Sequence, residues 1–451
     1  MQAPTANGSH RSSLERFLSV FTEVRAGEAA TVLMLALNVF LILTAYYLVK
    51  PVREALILAT PGGAEIKSYA SAAQALLLLF AVPAYAWIAS RVPRRRLING
   101  ITVFFAAVLV VFYLLVAAQV PVAVLFFLWI GVFNLMVPAQ FWAFANDVYT
   151  AEAGERLFVI VAFGASAGAV FGSYIAGHLI PVFGINQLIL VSAIVLTASL
   201  ILTNIVDRRE SARAASRKAD TDEPAVEEPL GKSGAFELLL KKRYLLLIAL
   251  LIFVLNWVNT TGEYILGRTV REAALAASGD GPLSEEAVEQ FIGAFYADFF
   301  TVVNIAGLLL QLFIVSRILK YLGVRMALFI LPLIALGGYI VAALYPVLAM
   351  IREVKIAENS TDYSLQNTVR QILFLPTTRE EKYKAKQAID TFFQRGGDVM
   401  SALTVFIGSA VLALSTRQFA IINIVLVLAW LVIALLIARE HRKLLPDDGA
   451  A

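Results

Sequence analysis

The sequence predicts an all-α membrane protein of twelve transmembrane helices arranged as two six-helix bundles. Three observations predict it. Apolar residues make up 59% of the 451-residue chain and charged residues 16%, whereas a soluble protein carries about a quarter of its residues charged. Apolar runs of about 20 residues, the length that crosses a hydrocarbon core of roughly 30 Å, recur in two sets of six. The first run of each set closes on the same charged signature, Lys50-Pro-Val-Arg53-Glu54-Ala and Arg268-Thr-Val-Arg271-Glu272-Ala. Two cations and an anion repeated at the mouth of a span predict an internal duplication with a binding site between its halves.

The first set of runs falls near 29–50, 69–90, 97–118, 121–145, 158–180 and 185–206. The second falls near 244–267, 291–315, 326–344, 344–366, 390–415 and 419–439. Residues 207–243 are rich in Arg, Lys, Asp, Glu, Ser and Pro, too polar to bury, and read as a mostly disordered cytoplasmic linker between the bundles 29–206 and 244–439. The tenth run is the polar one: 345–375 contains Arg352, Glu353, Lys355, Glu358, Asp362 and Arg370. It reads either as a cytoplasmic helix or as a polar, cavity-facing span. Dropping it would place the cationic C-terminal tail outside, so the span is expected.

Orientation follows from Lys and Arg, because cationic loops stay on the cytoplasmic side. They gather in the N-terminus 1–28 (Arg11, Arg16, Arg25), in the connection after span 2 (Arg91, Arg94, Arg95, Arg96), at Arg156, and in the linker. They gather again after span 8 (Arg317, Lys320, Arg325), between spans 10 and 11 (Arg379, Lys382, Lys384, Lys386) and in the tail 440–451 with the adjoining Arg439. Both termini are therefore expected in the cytoplasm of a cell with this protein in its inner membrane. The first 28 residues are polar and lack a short apolar core, so neither a signal peptide nor a long transit peptide is expected.

Composition also excludes chemistries. The chain has no cysteine and three scattered histidines, His10, His178 and His441, so disulfides, thiol nucleophiles, iron–sulfur clusters and imidazole-based metal sites are not expected. Gly231-Lys232-Ser233 imitates the end of a phosphate-binding loop, but no glycine stands five residues before Gly231. No catalytic residues, metal or cofactor are expected, and any uphill movement must use a gradient or a counter-moving solute.

With the cytoplasmic cations set aside, Lys67 and Arg417 fall in outer loops, leaving Lys50, Arg53, Arg268, Arg271, Arg352, Lys355, Arg370 and Arg395 within spans. A charge at membrane depth costs several kcal/mol unless paired or hydrated, so these cations predict a wet, protein-lined cavity. On span 10, Arg352, Lys355, Asn359, Asp362 and Gln366 recur at steps of three and four and draw one polar stripe. Arg offers planar bidentate donors to phosphate and carboxylate, and a fixed cluster of cations repels cationic solutes. Any one of these charges could instead pair within the stripe as a gating salt bridge; as a group they point to an anionic substrate, held by Lys50, Arg53, Arg268, Arg271, Arg352 and Lys355, with Asn259 and Asn134 as polar recognisers.

The acidic groups Glu54, Glu263 and Glu272 either pair with these cations when the site is empty or bind protons in a coupled mechanism. Asp362 on the stripe, and Asp390, Arg395 and Asp398 on span 11, are candidates for coupling or gating. Asp390, Gln394 and Asp398 share a helix face, as polar lining or as interhelical hydrogen-bonding groups, and Gly396-Gly397 permits unwinding or close approach. On span 5, Gly164, Gly168 and Gly172 repeat every four residues and read as a helix-packing seam.

Twelve spans, a long central linker and basic connections after spans 2 and 8 resemble the major facilitator superfamily, in which spans 1, 4, 7 and 10 line the cavity. More narrowly, Gly62-Gly63-Ala64-Glu65-Ile66 after span 1, Phe141-Trp142-Ala143-Phe144-Ala145-Asn146 ending span 4 and Lys384-Ala-Lys386-Gln-Ala-Ile-Asp390 entering span 11 resemble the ATP/ADP translocase family of intracellular bacteria and plastids. The resemblance runs from about residue 30 to 440. It implies that the phosphate-binding lysine near the end of span 1 falls on Arg53, keeping its charge. The chain departs from that pattern elsewhere: 120–146 has no Asp or Glu, the span 7 glutamate falls near Asn259, and the span 11 lysine falls near Asp398, a reversal of charge.

The expected function is secondary transport of nucleotides, by ATP/ADP-type exchange, or of related phosphorylated anions, by alternating access of the two bundles. The alternatives are a proton-coupled facilitator of another organic anion, with Glu54, Glu272 or Asp398 carrying the proton, and a non-transporting membrane sensor. The expected partners are an anionic small molecule and the lipid bilayer, not nucleic acid, with the chain acting as a monomer.

Overall fold

The computed structural model describes residues 22–25, 27–149, 151–217, 239, 241–277, 284–378, 381 and 385–444. Arg11, Arg16, most of the linker with Gly231-Lys232-Ser233, Arg379, Lys382, Lys384 and residues 445–451 lie outside the described residues.

The described chain is helical throughout. In the first half, α1 is Ala29–Ala59, α2 Gly63–Ala89, α3 Arg94–Ala117, α4 Ala123–Val148, α5 Ala151–Phe183 and α6 Asn186–Arg217. In the second half, α7 is Arg243–Ala277, α8 Glu285–Tyr321, α9 Gly323–Leu344 and α12 Thr416–Leu444. Between them, α10 covers 348–373 and α11 covers 386–411. All but α10 and α11 are long and apolar enough to cross a membrane, ten helices among the described residues. The two that fall short carry four of the eight cations expected within spans, Arg352, Lys355, Arg370 and Arg395, and both are interrupted by π-helical turns, Asp362–Gln366 in α10 and Ile389–Phe393 and Ile407–Val411 in α11. A further π turn, Leu310–Ile314, lies in α8. Such turns release backbone groups from the regular ladder and recur at functional positions.

Several helices outrun their apolar cores. Helix α6 continues to Arg217, past the apolar run that ends near 206, because Arg, Glu and Ala in 207–217 are good helix formers that need no burial. Helix α2 starts at Gly63, ahead of the apolar run at 69. Lys67, expected in an outer loop, is therefore inside a helix and only 7% exposed.

The chain divides into two compact units. Unit 1 comprises 1–50, 84–121 and 130–225, and unit 2 comprises 51–83, 122–129 and 226–451. Within unit 1, α3 packs along α6, where Asn99 and Asn204 exchange side-chain hydrogen bonds of 3.1 and 3.0 Å. The glycine stripe on α5 is the expected seam. A Cβ on Gly164, Gly168 or Gly172 would collide with the backbone carbonyls of Ala36, Phe40 or Thr44 on α1, so only glycine lets the two backbones approach. At the end of this seam, Glu28 meets Arg156 at 3.1 Å. Burial works against the Glu28 charge, but the Arg156 guanidinium and the Arg25 backbone N–H hold its carboxyl below the ordinary value of 4.5.

Within unit 2, α12 packs along α7 and α9, and α11 packs along α7. The α7–α11 contact repeats the glycine device: a Cβ on Gly397 would stand 2.6 Å from the Phe253 carbonyl oxygen. Beside it, Trp257 donates to Thr404 at 2.9 Å, Thr260 donates to Asp398 at 2.7 Å, and Thr261 and Ser401 hydroxyls meet at 2.9 Å. Gly396-Gly397 thus serves close approach, and Asp398 hydrogen-bonds between helices.

Candidate functional site

The site lies in unit 2 and begins with a turn. Helix α1 ends at Ala59, and Gly62, at φ +68°, reverses the chain into α2. A Cβ on Gly63 would stand 2.7 Å from the Leu58 carbonyl oxygen, so the second glycine lets α2 start directly against the end of α1. This turn, part of the Gly62-to-Ile66 motif, brings Lys67 back onto Glu54: Nζ lies 2.7 Å from Glu54 Oε2. Arg53, one residue earlier on α1, hydrogen-bonds the other Glu54 oxygen and lays its guanidinium 4.6 Å from the Phe127 ring centroid.

The chain of charges continues through α7 into α10. Glu263 on α7 stands between two lysines, with Oε2 3.8 Å from Lys67 Nζ and Oε1 3.4 Å from Lys355 Nζ. Lys355 also reaches Glu358 Oε2 at 3.1 Å and donates to Asn259 Oδ1 at 2.8 Å. Asn359 donates to Glu263 at 3.1 Å, and the Tyr339 hydroxyl on α9 donates to Glu358 at 3.0 Å. The i, i+3 and i+4 spacing of Lys355, Glu358 and Asn359 sets all three on the face of α10 turned to α7. Aromatic rings close the periphery: Lys67 Nζ lies 5.3 Å from the Tyr296 ring centroid, and the Tyr264 hydroxyl donates to Glu65 at 2.8 Å.

Arg53, Lys67 and Lys355 therefore face Glu54, Glu263 and Glu358, equal numbers of opposite charge in one connected run. Glu54 and Lys355 are almost fully withdrawn from solvent, whereas the Glu263 side chain remains 24% exposed. Removing one member of a buried pair leaves an uncompensated charge and is strongly unfavourable. Of the three carboxylates Glu263 is the most exposed.

Of the residues selected from sequence, the structure gathers Arg53, Glu54, Asn259, Glu263 and Lys355. The others have separate settings. Lys50 belongs to unit 1, where its ammonium lies 4.8 Å from the Tyr47 ring centroid. Asn134 is exposed on α4 in the same unit. Arg268 pairs with Glu272 at 3.0 Å and donates to the Leu414 carbonyl at 2.9 Å, while Arg271 donates to the Thr60 carbonyl at 3.2 Å. Arg352 is held by Asp298 at 2.7 Å and by Glu353. Asp390 pairs with Arg370 at 3.3 Å, and Arg395 with Asp398 at 3.2 Å. Asp362 opens the π turn of α10, and Gln366, at its end, is fully buried. Sequence reasoning missed Lys67 as a member of the cluster. The signal available for it was the double-glycine turn, which allows the chain to fold Lys67 onto Glu54.

Comparison with known proteins agrees with this architecture. Residues 35–351 match the family described as Major Facilitator Superfamily, and residues 339–441 match the family described as TLC ATP/ADP transporter. No curated protein matches the chain. Among solved structures, a bacterial homolog to the human lysosomal transporter Spinster, inward-facing and unoccupied, is 15% identical with a TM-score of 0.60, over 94% of this chain and 99% of that one. The nucleoside transporter NupG is 12% identical with a TM-score of 0.62, over 91% and 98%. A POT family transporter in complex with 5-aminolevulinic acid is 14% identical with a TM-score of 0.60, over 92% and 96%. These likenesses concern the fold.

Proposed function

The chain belongs to the Major Facilitator Superfamily, whose match spans residues 35–351, and from that premise we propose that it exchanges nucleotides, or related phosphorylated anions, across the cell inner membrane. Membership makes it a multi-pass secondary transporter working by alternating access rather than an enzyme. In our reading α10 and α11 complete twelve spans, 29–206 and 244–439 form the two bundles joined by the linker 207–243, and both termini face the cytoplasm, because the cationic connections lie on that side.

The observation that carries the substrate assignment is the match of residues 339–441 to the ATP/ADP transporter family, since this stretch contains α10 with Lys355 and Glu358. The geometry supports it in one further respect. Glu263 occupies the position between Lys67 and Lys355, with Asn359 donating to it, and a phosphate oxygen has the charge and acceptor capacity to replace it there. In this account Arg53, Lys67 and Lys355 hold the anion, Asn259 and Asn359 supply neutral hydrogen bonds, and the carboxylates hold the cations in place between substrates. An empty carrier then pays no penalty for unpaired buried charge, and a bound anion is exchanged for a carboxylate rather than for water.

Titration calorimetry of the purified protein with ATP, ADP and inorganic phosphate tests the assignment. Saturable binding of ATP or ADP, lost in Arg53→Ala, is expected; wild-type protein that binds none of the three contradicts it.

A second reading rests on the exposure of Glu263. As the least buried carboxylate of the run, it is the one placed to take a proton while an organic anion binds its lysines. Uptake that follows an imposed pH gradient, in place of counter-substrate, supports that reading.

A further inference from the structure

A second concentration of cations lies away from this cluster, where the N-terminal ends of α7 and α9 meet the C-terminal end of α12. A cavity of about 780 Å³ opens there, and its charged lining is Arg243, Arg325, Arg439, Glu440, Arg442 and Lys443. Among the described residues Glu440 is the only acidic member; it pairs with Lys443 at 3.0 Å and approaches Arg243 at 3.9 Å. Arg325, Arg439 and Arg442 are exposed and make no ion pair among the described residues.

Helix-end electrostatics explain part of this arrangement. Arg442 and Lys443 lie in the last turn of α12, where a cation complements the helix dipole. Arg243 and Arg325 lie in the first turns of α7 and α9, where the same dipole disfavours a cation. Five cations and one carboxylate around one cavity leave an excess of positive charge, and that excess calls for an anion.

The apolar part of the lining says which kind. Leu322, Met326 and Leu435 line the same cavity and are 53%, 57% and 42% exposed. A free phosphate has no use for that wall, whereas a phospholipid fills both parts, its phosphodiester among the guanidinium groups and its acyl chains along the apolar side chains. We propose that the cavity between the ends of α7, α9 and α12 is a binding site for an anionic phospholipid, with Arg325, Arg439 and Arg442 as the phosphodiester ligands. The site is separate from the transport cluster and does not depend on the identity of the transported anion.

Native mass spectrometry of the full chain in detergent tests this, with cardiolipin, phosphatidylglycerol or phosphatidylcholine added, and in separate samples inorganic phosphate or ATP. Wild-type protein retains cardiolipin or phosphatidylglycerol in preference to phosphatidylcholine. Each cation near an anionic headgroup is worth about fivefold in affinity, so the triple variant Arg325→Gln/Arg439→Gln/Arg442→Gln loses roughly a hundredfold. The triple variant with Lys at the same positions retains the preference, which separates lost charge from lost folding. Equal retention of all three lipids by wild type, or an undiminished preference in the Gln variant, overturns the proposal. So does phosphate or ATP that binds wild type and not the Gln variant while lipid retention is the same in both, an outcome that assigns the cavity to a free anion.

Discussion

Glu54 and Lys67 face each other across the turn between α1 and α2, Lys67 Nζ 2.7 Å from Glu54 Oε2, with both side chains nearly withdrawn from solvent. Everything else in the cluster is attached to this pair, through Arg53 on one side and Glu263 on the other.

Breaking the pair from one side is therefore costly. Lys67→Met leaves Glu54 buried with Arg53 as its remaining cation, and the loss of one partner from a buried pair costs about 3 kcal/mol or more. A clear fall in the midpoint of thermal unfolding is expected. Glu54→Gln combined with Lys67→Met recovers part of it, because the buried carboxylate is removed together with the ammonium that faces it. A loss in the double variant equal to the sum of the losses in Glu54→Gln and Lys67→Met contradicts direct coupling.

Glu263→Gln separates substrate displacement from simple charge pairing. If the transported anion takes the place of Glu263 between Lys67 and Lys355, neutralising that carboxylate removes a competitor and tightens nucleotide binding, by about tenfold for a difference of about 1.4 kcal/mol. Exchange slows at the same time, since release of the anion is no longer assisted by the returning carboxylate. Weaker binding in this variant excludes the displacement scheme.

The glycine seam of α5 supports a prediction with its own control. A Cβ on Gly168 would stand 2.8 Å from the Phe40 Cα and closer to its carbonyl oxygen, so Gly168→Ala forces α1 and α5 apart and lowers the unfolding midpoint. Gly100 on α3 has nothing within 4 Å of its Cβ position. Gly100→Ala is expected to be neutral or slightly stabilising, as helix propensity favours alanine by about 0.5–1 kcal/mol. Equal effects at the two positions contradict the seam.

The segment before α1 is expected to loosen in acid. The Glu28 carboxyl is held below its ordinary value of 4.5 in the folded protein, so its pairing with Arg156 contributes stability above pH 4.5 and loses it as pH falls through the lowered folded value. Hydrogen exchange over residues 22–28 is faster at the acid end of that window, and Arg156→Ala abolishes the difference. Exchange that is independent of pH after correction for the intrinsic rate contradicts the assignment.

Much of this site was legible before the structure, and the exceptions have physical causes. Arg53 and Glu54 were visible because a repeated charged signature at the end of an apolar run is expensive to keep without purpose. Lys355 and Asn359 were visible because steps of three and four on a polar span define a face. Lys67 was not, since a cation two residues ahead of an apolar run reads as a loop residue until the Gly62-Gly63 turn is seen to start α2 early. The second copy of the signature has other neighbours: Arg268 and Arg271 repeat the pattern of Lys50 and Arg53, and their partners are Glu272 and the carbonyls of Leu414 and Thr60. Sequence shows that two segments share a charge pattern; which partners each finds depends on the helices beside it. For Asp398 the sequence left polar lining and interhelical hydrogen bonding open, and its bond to Thr260 beside the close approach at Gly397 shows the second.

The proposed exchange of nucleotides runs through the cluster of Arg53, Lys67 and Lys355. Counterflow tests it most directly: labelled ATP supplied outside proteoliposomes that contain the wild-type protein and are loaded with unlabelled ADP. Accumulation of label that requires internal nucleotide, is insensitive to an imposed pH gradient, and disappears in Arg53→Ala is the predicted result. Absence of counterflow with every nucleotide, from protein shown to be folded and inserted, contradicts nucleotide exchange.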